Sequence, residues 1–357
     1  MSDRKNLIFF LIFILLSSCS FDKATGIWDG GKEEKEKISE LEKEQKQILD
    51  IYKIYSSESI YSKEIYLKKN IILSKPKNIL SWNMSGLNNQ NFLGNIYLSG
   101  IDDIFLKKKI GKNKFSLYKI NTSLLVFNNY IIFSDDNGTI FNINQQGKIN
   151  WKKNVYKKTY KNIYKNLVFS IYKNTIYVAD NIGFIYAIDF NSGKLVWIKN
   201  HQIPLKSNIK IFNNKIFLMD QDNQIFCLST KDGSKIWNIL SIESFIKSQN
   251  LMSLSVSEEG DLIALNSTAD LFNINIDKGN VNWATNTSGS LYADETDFFK
   301  PSDVVINDEE IIFSSSSSIY SYNLNNASIN WENKVTSVGA PIIDGKHVFL
   351  LTENGYF

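Results

Sequence analysis

Five tryptophans constrain this chain more than any other feature. Trp151, Trp197, Trp237, Trp283 and Trp331 close five similar phrases, QQGKINW, NSGKLVW, KDGSKIW, DKGNVNW and NNASINW, spaced 46, 40, 46 and 48 residues apart. Gly147, Gly193, Gly233 and Gly279 each stand four places before their tryptophan, and Ala327 takes that place in the fifth phrase. The clearest unit reads TIYVA at 175–179, a turn at 180–183, FIYAID at 184–189, a second turn at 190–193 and KLVW at 194–197. Asn, Asp and Gly supply the positive φ that tight hairpins need. The other four units repeat this order, and an apolar run such as NLVFSIY at 166–172 can supply a fourth strand.

Short strands repeating at 40–48 residues predict an all-β fold, a β-propeller of four-stranded antiparallel blades. One blade cannot bury both faces of its sheet, so blades must stack. A tryptophan at one fixed place per blade can wedge between neighbours and offer its indole N–H to a backbone carbonyl. The glycine relieves the turn before it. These nine residues are therefore expected to lock blade to blade.

Residues 187–197, AIDFNSGKLVW, resemble the PQQ-type propeller repeat, A-x-D-x-x-T-G-K-x-x-W, with Ser192 in place of Thr. Asn275, Asn323 and Ser229 stand at the Asp position of other copies. The resemblance covers about residues 80–357 and implies a ring of eight blades. NILSWNMSG at 78–86 reads as a preceding strand, 95–120 as a divergent first blade, and 341–357 as a blade that begins and is not closed. About six blades are begun, and the propeller, 78–357, is expected to be incomplete at its C-terminal side.

The first residues read as an address. Arg4 and Lys5 precede a ten-residue apolar run, half of what a spanning helix needs, and Ser17-Ser18-Cys19 follows. The ending resembles a bacterial lipobox, which implies a signal peptide over 1–18, acylation of Cys19 and a lipidated linker over 19–31. Ser20, in place of Asp, points to the periplasmic face of an outer membrane. Residues 32–70 read as a charged helical tether, with Ile38, Leu41, Ile48, Tyr52 and Tyr55 at helical spacing over 32–55. A solvated linker and a partner-binding helix both fit it.

Composition narrows the chemistry. Forty basic and 37 acidic residues give a formal charge of +3, no field to draw in nucleic acid. The lysine- and tyrosine-rich stretch at 151–166 is explained by a crossover in a lysine-rich chain. The repeat is named for quinone enzymes, and that resemblance implies quinone and calcium at the ring centre, held with carboxylates, a tryptophan platform and often adjacent cysteines. Here Cys227 stands alone in a strand, His201 and His347 fall in different blades, and Asp102-Asp103 and Asp135-Asp136 sit at turns. No catalytic, cofactor or metal set is assigned. A lipid-anchored propeller without such equipment resembles the BamB-type family of outer-membrane assembly lipoproteins. That resemblance implies a non-enzymatic scaffold binding the periplasmic domains of a BamA-like barrel subunit, and with it nascent outer-membrane proteins. A quinone-dependent dehydrogenase and a propeller binding polysaccharide or a small ligand are the alternatives.

Overall fold

Paired asparagines begin the architecture. Asn128 and Asn129 (φ 48° and 65°) and Asn213 and Asn214 (φ 47° and 59°) adopt the left-handed turn that suits the twist of a two-residue hairpin. Each joins the first two strands of a sheet. The computed structural model describes Glu36, Ser39, Glu40 and residues 70–352, apart from 99–103, 113, 116–123, 242–246, 248–250, 288–300, 316–317, 336 and 338. The chain divides into two units, Met1–Ile72 and Leu73–Phe357. In the first, Glu36, Ser39 and Glu40 are helical and exposed. Cys19 and the rest of the predicted address lie outside the described residues.

In the second unit the described residues form five four-stranded antiparallel sheets and one two-stranded sheet, each in simple chain order. The second sheet is typical: Leu167–Tyr172, Thr175–Asp180, Phe184–Asp189 and Leu195–Asn200. The first strands of the six sheets are Leu125–Phe127, Leu167–Tyr172, Lys210–Phe212, Ser253–Val256, Val305–Asn307 and Ile342–Asp344. Those of the first five blades approach their neighbours in turn, so they form the inner edge of the ring. The fourth strands alternate exposed and half-buried residues, as outer edges do.

Strand alternation builds the core between blades rather than within them. In Lys215–Met219, Ile216 and Leu218 pack toward the second blade, while Phe217 and Met219 pack toward the fourth. In Asp261–Leu265, Leu262 and Ala264 face the third blade, and Ile263 and Leu265 face the fifth. Sheets with both faces buried have no alternative to stacking. The second turn of each blade is held by a polar side chain at one fixed place. Asp189 Oδ1 accepts the Ser192 N–H at 2.8 Å, and Asn275 Oδ1 accepts those of Asp277 and Lys278 at 3.0 and 3.1 Å. Asn323 accepts from Asn325, and Ser229 accepts through its hydroxyl from Lys231. The degenerate copies of the Asp position therefore do the same work. Among the described residues no helix is long and apolar enough to cross a membrane.

Candidate functional site

The repeated phrases meet at the joints between blades. Trp151 Nε1 donates to the Phe190 carbonyl at 2.8 Å, Trp197 to Thr230 at 3.0 Å, Trp237 to Ile276 at 3.0 Å and Trp283 to Leu324 at 2.8 Å. Each acceptor lies three residues before the turn glycine, or Ala327, of the next blade. The rings rest on those turns. A Cβ at Gly193 would lie 2.6 Å from the Trp151 ring, one at Gly233 2.7 Å from Trp197 and one at Gly279 2.7 Å from Trp237. At Gly147 the neighbours are the side chains of Leu106 and Lys108. Trp331 packs beside Ile343 and Val348 of the two-stranded sheet.

Opposite the five tryptophans, on the third strands, stand Asn142, Ala187, Cys227, Asn273 and Ser321. All five are buried. Cys227 thus holds a position that takes a small side chain in every blade, and burial pushes its thiol up to about 12. Asn142 and Asn273 donate to the carbonyls of Phe190 and Leu324, the acceptors used by the indoles.

The centre of the ring is filled by the chain itself. Trp82 pairs with Val126 of the first blade, and the Ile171 N–H of the second donates to Asn83 at 2.7 Å. Asn89 Nδ2 donates to the Ile211 carbonyl of the third blade at 3.0 Å, and the Val256 N–H of the fourth donates to Asn89 at 2.9 Å. The Ile306 N–H of the fifth donates to Gln90 at 2.9 Å. Asn91 is buried, and its amide bridges the carbonyls of Leu254 and Val304 at 3.1 and 2.7 Å. Phe92 packs against the cluster of the fifth and sixth sheets. These eleven residues meet the inner strands of the first five described blades in turn, so they line the inside of the ring.

Lys210 anchors this plug. It is fully buried, and its ammonium donates to Ser85 O at 2.9 Å, Asn88 O at 2.7 Å and Asn91 Oδ1 at 2.6 Å. Burial pushes Lys210 down to about 7, opposed by the charge of Asp303. Asp303 is itself raised by burial, opposed by Lys210 and by a hydrogen bond with Ser253.

This centre does not suit a quinone with calcium. The inner backbone edges and the Lys210 ammonium are spent on residues 82–92. Among the described residues no three His, Cys, Asp or Glu side chains gather where they could hold a metal. His201 is paired with Asp220 at 2.8 Å and stacked on Phe226, and His347 lies in the last described strand. Asp135 receives the N–H groups of Asn137 and Thr139, as a turn residue does. Asp102 and Asp103 lie outside the described residues.

Two expectations need correction. The segment 78–86 is not a strand of a preceding blade but enters the axis through isolated bridges. The described part of 95–120 holds no strand; its only ladder contact is the bridge from Ile96 to Lys77. Asn91, Lys210 and Asp303 were missed, because a lysine and asparagines in a chain so rich in both carry no signal. The one available cue was that LNNQN at 87–91 is too polar and too short of β-branched residues for a strand.

The comparisons agree with this architecture. The family model for outer membrane protein assembly factor BamB matches residues 136–357, more than half of the chain. Among solved structures, BamB from Moraxella catarrhalis aligns with a TM-score of 0.54 at 12% identity, covering 61% of this chain and 66% of that one. Quinohemoprotein alcohol dehydrogenase from Comamonas testosteroni aligns at 0.51 and 10% identity, over 72% of this chain and 50% of that one. A europium-containing methanol dehydrogenase aligns at 0.53 and 10% identity, over 71% and 58%. At such identities these likenesses describe the fold alone. A search of curated protein sequences gave no match.

Proposed function

The chain belongs to the PQQ-like repeat family of outer membrane protein assembly factor BamB, and from that membership we propose that it is a non-enzymatic scaffold of the outer-membrane β-barrel assembly machinery. It holds the periplasmic domains of a BamA-like subunit and aids insertion of nascent outer-membrane proteins. Cys19 carries the lipid that keeps it at the periplasmic face of the outer membrane, and residues 32–70 tether the ring to that anchor. The observation that carries the reading is the occupied axis. Quinone enzymes of this fold work at the ring centre; here Asn91 and Lys210 fasten the chain's own residues there. What remains for function is the outside. The fourth strands carry exposed apolar residues, among them Ile149, Val196, Ile236, Val281 and Ile329. An unpaired outer edge with apolar side chains is suited to take up an extended strand of another protein.

Tagged full-length protein, captured from detergent-solubilised outer membranes, should bring down the barrel subunit. Capture without it refutes the partner. Purified protein mixed with PQQ and calcium should reduce no dye with alcohols or sugars; turnover would reinstate the dehydrogenase reading.

A further inference from the structure

A second surface lies outside the ring centre and meets the outer edges named above only at the first blade's fourth strand, where Ile149 and Lys152 line it. A groove of about 920 Å³ opens where residues 108–112 and Lys114 face the first blade and the crossover into the second. Nine lysines line it, against one carboxylate, Asp135. That is far from the chain-wide balance of 40 basic to 37 acidic residues. Asp135 is moreover occupied, since its oxygens accept from the N–H groups of Lys112, Asn137 and Thr139. Three of the lysines are structural. Lys108 donates to Gly147 O at 2.8 Å and Lys114 to Asn162 Oδ1 at 2.8 Å, while Lys165 is buried over the Tyr156 ring and donates to Tyr160 O. The other six, Lys109, Lys112, Lys152, Lys157, Lys158 and Lys161, are exposed, and none makes an ion pair with a described residue.

Apolar side chains stand in the same two segments. Ile104 and Phe105, 76% and 73% exposed, precede the first groove lysine, and Ile163, 44% exposed, follows Lys161. A basic cluster alone would suit any polyanion. Exposed Phe and Ile in the segments that carry these lysines gain nothing from a hydrated acidic peptide, and Ile has no aromatic face for a base. Both gain from entering the headgroup region of a bilayer while the lysines meet lipid phosphates. We propose that this groove and the exposed apolar residues of its flanking segments form a docking face for an anionic phospholipid surface, separate from any acyl anchor.

The test uses full-length protein and vesicles of phosphatidylcholine, alone or with phosphatidylglycerol. An acyl anchor binds both; only the groove distinguishes them. The protein should prefer the anionic vesicles, and added salt should erase the preference. Lys157→Gln, Lys158→Gln and Lys161→Gln together should weaken the anionic preference about a hundredfold, near a fivefold loss per lysine. Phe105→Ser should weaken binding to both vesicle types. Lys194→Gln, Lys231→Gln and Lys278→Gln remove the same charge from exposed turns of other blades and should leave the preference unchanged. Equal loss in that control, no preference for anionic vesicles, or binding at the groove to poly-glutamate or single-stranded nucleic acid but not to vesicles would each overturn the proposal. A matched thermal melt shows that the variants are folded. Capture of the barrel subunit is a separate readout, so the two readings fail independently.

Discussion

At the scale of single residues, two positions carry most of the consequence. Gly233 has φ +68°, and a Cβ there would lie 2.7 Å from the Trp197 ring. Gly233→Ala combines left-handed strain with overpacking and should cost about 2 kcal/mol in a denaturant melt. Ala327 occupies the equivalent place in the next-but-one joint at φ 60°. Ala327→Gly should relieve that strain and stabilise by up to about 1 kcal/mol. The opposite signs of the two changes are the check. Lys210 is the other position. Lys210→Met would leave Ser85 O, Asn88 O and Asn91 Oδ1 without their donor, at a cost of about 3 kcal/mol. Burial lowers Lys210 to about 7 in the folded state, against an ordinary value near 10.4. Between these values the unfolded chain binds more protons, so this residue makes stability rise with pH across that window. The wild-type melt should show that slope, and Lys210→Met should lose it.

At the scale of elements, the joint is the unit. The ring and turn of one joint come from blades that follow each other in the chain, which is why a period in the sequence could announce them. Trp197→Phe keeps most of the apolar contact and loses the bond to Thr230 O at 3.0 Å, an expected loss of about 1 to 2 kcal/mol. Trp197→Ala should lose about 4 kcal/mol. Similar losses for both would mean that the bond, not the packing, holds the joint. The strands were legible for the same reason: FIYAID at 184–189 and YIIFS at 130–134 are strands as read. The polar caps at Asn275, Asn323 and Ser229 explain why degenerate copies still turn correctly.

At the scale of the whole molecule, the plug had no periodicity to reveal it. Residues 82–92 hold their place through backbone groups and asparagine amides given to five different blades. Those contacts reach up to 213 residues along the sequence, as in Asn91 to Val304, and no local pattern encodes them. Lys210 shows the complementary failure, since only its burial separates it from a surface lysine. The proposed scaffold role rests on residues 82–92 staying seated against the inner strands, and hydrogen exchange reads that directly. The amides of Ile171, Val256 and Ile306, which donate to Asn83, Asn89 and Gln90, should exchange as slowly as those inside the sheets. The peptide spanning 82–92 should be protected with them, and both should become fast in Lys210→Met at a temperature where the blades stay protected. Free exchange of 82–92 in the wild-type protein, while the blades remain protected, would contradict the account.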